Sequence, residues 1–189
     1  MKEENQQKTD EELVSLSLED KDFFGLIIDR YEDKLFRYIR RITNFRDEDL
    51  FDILQDVFIK TYENLNDFDS NLSFSSWIYR IAHNQTIDAF RKIKNKPQGN
   101  YFDIEDSFLE NIVSDTDIVL EASLKEEKEK VKKVLLLLDE KYREILILRF
   151  FENKDYKEIS DILEKPIGTV GTLVNRAKKQ FKEKYEQEF

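Results

Sequence analysis

The stretch Asp155-Tyr-Lys-Glu-Ile-Ser-Asp-Ile-Leu-Glu-Lys-Pro166, continuing as Ile167-Gly-Thr-Val-Gly-Thr-Leu-Val-Asn-Arg-Ala-Lys-Lys179, decides the fold. Asp155 and Glu158 have the spacing of a capping box, in which each side chain takes the other residue's backbone N–H. They open a short helix that turns Ile159, Ile162 and Leu163 inward at helical spacing. Three residues after Leu163 comes Pro166, which is tolerated where a helix starts. A last helix then runs to about Tyr185. Short helix, tight turn and basic helix form the helix-turn-helix pattern, whose second helix is built to lie in a DNA major groove. On spacing alone, a generic helical hairpin fits as well.

Working back from this stretch, the chain stays helical. Asp139 is placed to cap a helix holding Ile145, Leu146, Leu148 and Phe150, and Val131 to Leu138 is apolar on most sides, as a buried segment would be. Leu124 to Lys133 is a charged lead-in. From Lys94-Asn-Lys-Pro-Gln-Gly-Asn100 to about Ser123 the chain is acidic and lacks periodicity, as a linker would. Before it, Phe24, Ile27, Tyr31, Leu35, Tyr38 and Ile42 form one helical stripe. Leu50, Leu54, Val57, Phe58, Thr61, Tyr62 and Leu65 form a second, with Asp47 as its candidate cap. Ser73 can cap a third helix that turns Phe74, Ile78, Ile81 and Ala82 inward. From Ser73 to Lys94 this helix would be roughly 33 Å long. No repeat of solenoid type is present.

Composition agrees. The 189 residues include four Gly and two Pro, where average usage would give about 20. So few turn-makers argue against sandwiches, barrels and doubly wound sheets. With 40% hydrophobic and 13% aromatic residues a packed core is possible. No Cys and one His, His83, exclude disulfide scaffolds, thiolate sites and His-rich metal centres. No cofactor is expected. The longest apolar run, Val134 to Leu138, is far too short to span a membrane. Met1-Lys-Glu-Glu-Asn5 lacks the apolar stretch of a secretory signal, so a cytoplasmic chain is expected. The expected fold class is all-α: two small helical domains joined by an acidic linker, the second a helix-turn-helix. The expected boundaries are an acidic tail over 1–19, read as disordered, a helical domain over 20–95, a linker over 96–127 and the helix-turn-helix domain over 128–189.

The net charge of −10 is unevenly spread: residues 1–20 carry −5, 21–94 carry −1, 95–130 carry −6 and 131–189 carry +2. Ser73 to Lys96 holds five Lys/Arg against one Asp, and Pro166 to Lys184 holds five against one Glu. Such a chain should bind DNA weakly by itself, because non-specific affinity scales with the phosphates neutralised. On the third helix Trp77, Arg80, Asn84, Asp88 and Arg91 share a face, extended by Lys92. An indole and an amide can stack on or hydrogen-bond bases, and arginines can hold phosphates. The polar loop Asn66, Asp67, Phe68, Asp69, Ser70, Asn71 precedes this face and could cup an unstacked base. Trp77 reads equally well as core. On the second helix Asp52, Gln55 and Asp56 lie beside Phe58, a mixed patch suited to a protein partner. Glu48, Asp49 and Asp52 also fit an acidic Mg²⁺-binding spacing. On the last helix Thr169, Thr172 and Asn175 can reach base edges, and Arg176, Lys178, Lys179 and Lys182 the backbone.

Gln55-Asp-Val-Phe58, Phe74-Ser-Ser-Trp-Ile-Tyr-Arg-Ile-Ala-His-Asn84 and Asp88-Ala-Phe-Arg91 resemble the second conserved region of bacterial RNA polymerase sigma factors, with the small extracytoplasmic-function (ECF) class nearest. Tyr142-Arg-Glu-Ile-Leu-Ile-Leu-Arg149, Tyr156-Lys-Glu-Ile159, Gly168-Thr-Val170 and Arg176-Ala-Lys178 resemble the fourth region. The resemblance implies a non-catalytic initiation subunit whose partners are core RNA polymerase, promoter DNA and an anti-sigma factor. It implies that Asp52, Gln55, Asp56 and Phe58 dock on the polymerase clamp. The loop 66–71 with Trp77, Arg80, Asn84, Asp88, Arg91 and Lys92 would capture the melted minus-ten strand. Gly168, Thr169, Val170, Thr172, Asn175, Arg176, Lys178 and Lys179 would read the minus-thirty-five element. The linker would thread the polymerase channel. The sequence departs from the family at Glu164, where Gly is usual at the bend, and at Gly171 and Leu173, where a Lys and an Arg are common. The competing readings are a stand-alone helix-turn-helix regulator, binding duplex DNA as a dimer, and a Mg²⁺-dependent helical enzyme built on Glu48, Asp49 and Asp52.

Overall fold

The computed structural model describes residues 8–43, 45–70, 72–94 and 122–189. The linker expected over 96–127 therefore lies mostly outside the described residues, as do Asn71 and residues 1–7. Eight α-helices occur among the described residues, and no strand. The chain divides into two compact units, the first formed mainly by residues up to Lys96 and the second mainly by those beyond it.

The first unit begins with a helix that the sequence reading missed. α1 spans Asp10–Glu19 and opens on a complete capping box: the Glu12 N–H donates to Thr9 Oγ1 at 3.2 Å, and the Thr9 N–H donates to Glu12 Oε2 at 2.7 Å. Leu13, Val14 and Ser17 are buried. Asp10 fastens α1 to the next long helix, accepting from Arg30 Nη1 at 2.7 Å and from the Tyr31 hydroxyl at 2.5 Å. The expectation of disorder over 1–19 is thus corrected for residues 9–19. Four acids hid a short apolar face that a cap and an ion pair hold in place.

A single 3-10 turn, Lys21–Phe23, leads into α2, Phe24–Ile42. α3 spans Asp47–Glu63 and α4 spans Phe74–Lys94. The cap of α3 is Arg46, without a side-chain hydrogen bond, and Asp47 is the first helical residue. Ser73 caps α4 as expected, its Oγ accepting from the Ser76 N–H at 3.3 Å. The core is aromatic. Tyr31 meets Phe74 edge-on at 5.7 Å, and Tyr38 meets Tyr79 at 5.2 Å. Leu35, Leu50, Val57, Ile78 and Ala82 are fully buried between them. Buried Ser17, Thr61 and Thr86 each donate to the carbonyl four residues back at 2.7 Å, so none is left unsatisfied.

In the second unit α5 spans Ala122–Leu136, starting inside the segment assigned to the linker. Val134, Leu135 and Leu138 are buried, but Leu137 is exposed, so the apolar run is one-sided. α6 spans Glu140–Leu146 after Asp139, whose carbonyl rather than carboxylate accepts from Tyr142 and Arg143. A π-turn over Ile147–Phe151 follows: the Glu152 N–H donates to the Ile147 carbonyl at 3.0 Å. This extra residue shifts the helical phase, so Ile147 and Leu148 are buried while Phe150 is 52% exposed. α7 spans Tyr156–Leu163 and α8 spans Ile167–Glu188. The core of this unit is mostly aliphatic, with Ile145, Ile159, Ile162, Val170, Val174 and Ala177 wholly buried.

Candidate nucleic-acid interface

The helix-turn-helix forms as its capping box predicts. The Glu158 N–H donates to Asp155 Oδ1 at 2.8 Å, and the Asp155 N–H donates to Glu158 Oε2 at 2.9 Å. α7 stops at Glu164, which sits in the left-handed region at φ 51° and ψ 43°. The bend therefore keeps its left-handed residue without glycine, at a cost of about 1 kcal/mol. It is held by the Lys165 N–H on the Ser160 carbonyl at 3.1 Å and by Ser160 Oγ donating to the Lys165 carbonyl at 2.5 Å. Pro166 is the N-cap of α8, its carbonyl accepting from Thr169 at 2.8 Å and Val170 at 3.1 Å.

Burial sorts the residues expected to read the minus-thirty-five element. Gly168, Thr169, Thr172, Asn175, Arg176, Lys178 and Lys179 are exposed on α8. Val170 is not: it is completely buried with Val174 and Ala177. This corrects its place in the DNA-facing set, because at steps of four and three these residues fix the opposite face to the core. Thr172 Oγ1 donates to the Gly168 carbonyl at 2.9 Å. Lys178 Nζ lies 5.3 Å from the Phe150 ring, which the π-turn exposes.

The other basic helix is arranged differently. Ahead of α4, Leu65 is buried and begins the 3-10 turn Leu65–Asp67. Asn66, Asp67, Asp69 and Ser70 are exposed, and Phe68 is half-buried. The Phe68 ring lies 5.3 Å from both Phe74 and Trp77. Trp77 is 8% exposed. The indole is core, not a free stacking platform, because three aromatic rings close over one another at the start of α4. Arg80 is half-buried, and Asn84, Asp88, Arg91 and Lys92 are exposed along the same helix. Arg91 pairs with Asp88 at 3.1 Å, so its positive charge is partly offset.

On α3 Asp52, Gln55 and Asp56 are exposed as expected. Phe58 is 8% exposed and belongs to the core, which corrects its place in the partner-facing set. The exposed apolar groups beside those polar residues are Phe51, Ile59 and Tyr62. Phe51 stacks on Phe36 at 4.8 Å, and Tyr62 meets Phe24 edge-on at 5.1 Å, so both are propped outward from α2. Tyr62 is exposed although spacing sets it on the apolar stripe, and Phe51 and Ile59 fall outside that stripe. Their signal was apolar character off the helical stripe of Leu50, Leu54, Val57 and Thr61. Among the described residues no three His, Cys, Asp or Glu side chains gather closely enough to hold a metal ion. Among the same residues no helix is long and apolar enough to cross a membrane.

A helical unit with a mixed acidic and apolar face, followed by a helix-turn-helix unit, is the architecture of a sigma-70-type initiation subunit. Residues 27–96 match the family Sigma-70 region 2, and residues 128–181 match Sigma-70, region 4. The ECF RNA polymerase sigma factor SigW of Bacillus subtilis is 35% identical, with 84% of this chain and 87% of that one aligned. The RNA polymerase sigma-H factor of Pseudomonas aeruginosa is 31% identical, covering 91% of each chain. In fold, the chain resembles CnrH, solved in complex with the cytosolic domain of CnrY, at a TM-score of 0.68, 20% identity and coverage of 95% of this chain and 99% of that one. It also resembles RpoE of Bartonella quintana, solved with the anti-sigma factor NepR, at a TM-score of 0.61, 18% identity and coverage of 86% and 96%. The chain belongs to the extracytoplasmic-function class of sigma-70 RNA polymerase sigma factors, and its function is in transcription initiation.

Proposed function

We propose that this sigma factor divides its work among three surfaces. The exposed face of α3, with Asp52, Gln55 and Asp56 flanked by Phe51 and Ile59, docks on core RNA polymerase. Apolar side chains ringed by carboxylates and an amide suit a protein interface that must also form in water. The loop 66–70 and the outer face of α4, with Arg80, Asn84, Arg91 and Lys92, hold the unpaired minus-ten strand, the loop offering donors and acceptors to a base edge. α8 lies in the major groove of the minus-thirty-five element. The protein performs no catalysis of its own and works in the cytoplasm. An anti-sigma factor would act by covering these faces. The sequence halves 20–95 and 128–189 serve as separate domains on either side of the linker.

The observation that carries this reading is the separation of exposed groups on the first unit. The acidic and apolar set lies on α3, and the amide and basic set lies on α4. Run-off transcription with purified core polymerase tests it. Asp52→Ala with Asp56→Ala, or Phe51→Ala, should abolish co-purification with core. Arg80→Ala with Asn84→Ala should leave co-purification intact and impair promoter opening, read by permanganate footprinting. Loss of core binding in the Asn84→Ala variant, with helicity preserved, would overturn the division of faces.

A further inference from the structure

The chemistry of the exposed face of α8 limits which bases it can choose. Val170, Val174 and Ala177 fix the buried side. Opposite them Gly168, Thr172, Asn175 and Lys179 run outward at steps of four, three and four, with Thr169 and Arg176 alongside. From Ile167 to Asn175, about the first two and a half turns of the helix, there is no Lys or Arg. Ile167 is 54% exposed at the start of the helix. Guanine is selected in the major groove chiefly by Arg or Lys on O6 and N7, and this segment offers neither. Thr172 adds a second apolar contact point. Its hydroxyl donates to the Gly168 carbonyl at 2.9 Å. In that arrangement the side chain offers oxygen lone pairs beside a methyl group. These suit an adenine or cytosine amino group or a thymine methyl. Asn175 carries the amide that pairs with adenine N6 and N7. The cations follow it, and Lys178 leans over Phe150 at 5.3 Å.

We infer that α8 reads the upstream promoter element as A·T pairs, with Asn175 on an adenine and the Ile167 and Thr172 methyl groups on thymine methyls, while Arg176 and Lys179 hold phosphates. This rests on the sigma-factor reading above and specifies the ligand of its upstream site.

The test uses full-length protein with core polymerase on a promoter library randomised at the upstream element and fixed at the minus-ten element. The strongest selected positions should be A·T. Asn175→Ala should flatten the preference at one adenine by about 5- to 150-fold. Replacing the contacted thymine by uracil removes one methyl group and should lower initiation roughly fourfold. Ile167→Ala, an exposed site that leaves folding untouched, should make thymine and uracil equivalent at its position. The inference is overturned if the dominant position is a guanine lost on Arg176→Ala or Lys165→Ala, or if uracil is neutral throughout. Transcripts that ignore the upstream sequence would also overturn it, while sparing the sigma-factor reading. No transcript from any promoter would overturn both.

Discussion

The two units are built from different materials. Among the described residues the first buries Phe24, Tyr31, Tyr38, Phe58, Phe74, Trp77 and Tyr79, whereas Tyr142 is the one buried aromatic of the second. The backbone differs too. Among the described residues the two non-glycine positions with positive φ, Asn153 and Glu164, both lie in the second unit, as does the π-turn. Large interlocked rings make a stiff platform, which would suit the proposed hold on single-stranded DNA by loop and helix. In the second unit, aliphatic side chains and bends between short helices seat α8 by its Val170, Val174 and Ala177 face and leave the opposite face exposed, which would suit the proposed docking into a duplex.

The contrast can be broken most severely at Trp77. If the indole is core, Trp77→Ala should destabilise the first unit by about 3–5 kcal/mol, measured by urea denaturation. A base-stacking indole would instead leave stability unchanged and affect only promoter opening. Asp10→Ala comes next. It leaves the buried Tyr31 hydroxyl without its acceptor and should cost about 1–3 kcal/mol, again in the first unit. Disordered residues before Phe24 would predict no change.

The same clasp gives the first unit an alkaline limit. Burial, and then the hydrogen bond to Asp10, hold the Tyr31 phenol well above the ordinary tyrosine range. A raised pKa means that its contribution is complete below the unfolded value, about 10, and is lost as pH climbs past it. The unfolding midpoint of the first unit should therefore drop through pH 10 and above, and Tyr31→Phe should flatten that slope. The smallest effect has the opposite sign. A Cβ on Gly171 would meet Tyr156 ring carbons at 3.8 and 4.0 Å, an ordinary contact. Gly171→Ala should thus stabilise α8 by about 1 kcal/mol, seen as a higher melting temperature confined to the second unit.

Much of this architecture was legible because it is written in local signals. Asp155 and Glu158 predicted their own capping box, Ser73 its cap, and the periodic stripes predicted α2, α3 and α4. What escaped depended on contacts between elements. α1 has too few apolar residues to announce itself, and its docking relies on Asp10 meeting Arg30 and Tyr31, about 20 positions away in sequence. The π-turn changes the helical phase without any Gly or Pro to mark it. At the candidate sites, helical spacing placed Asp52, Gln55, Asp56, Asn84 and Thr172 on the surface and Phe58 on the apolar stripe, and left Trp77 open between core and base contact; it was the family resemblance that put Phe58 and Val170 among the contact residues, and both are buried. Spacing gives a helix face. Which face the core claims is settled by packing.

The Asp10 clasp also bears on how long the protein survives in a cell. A proteolytic nick that removed residues through Asp10 would strip the cap from α1 and unseat Leu13 and Val14 together. The shortened product would open more often and be cleared sooner, so trimming a few leading residues would suffice to lower the abundance of the whole factor.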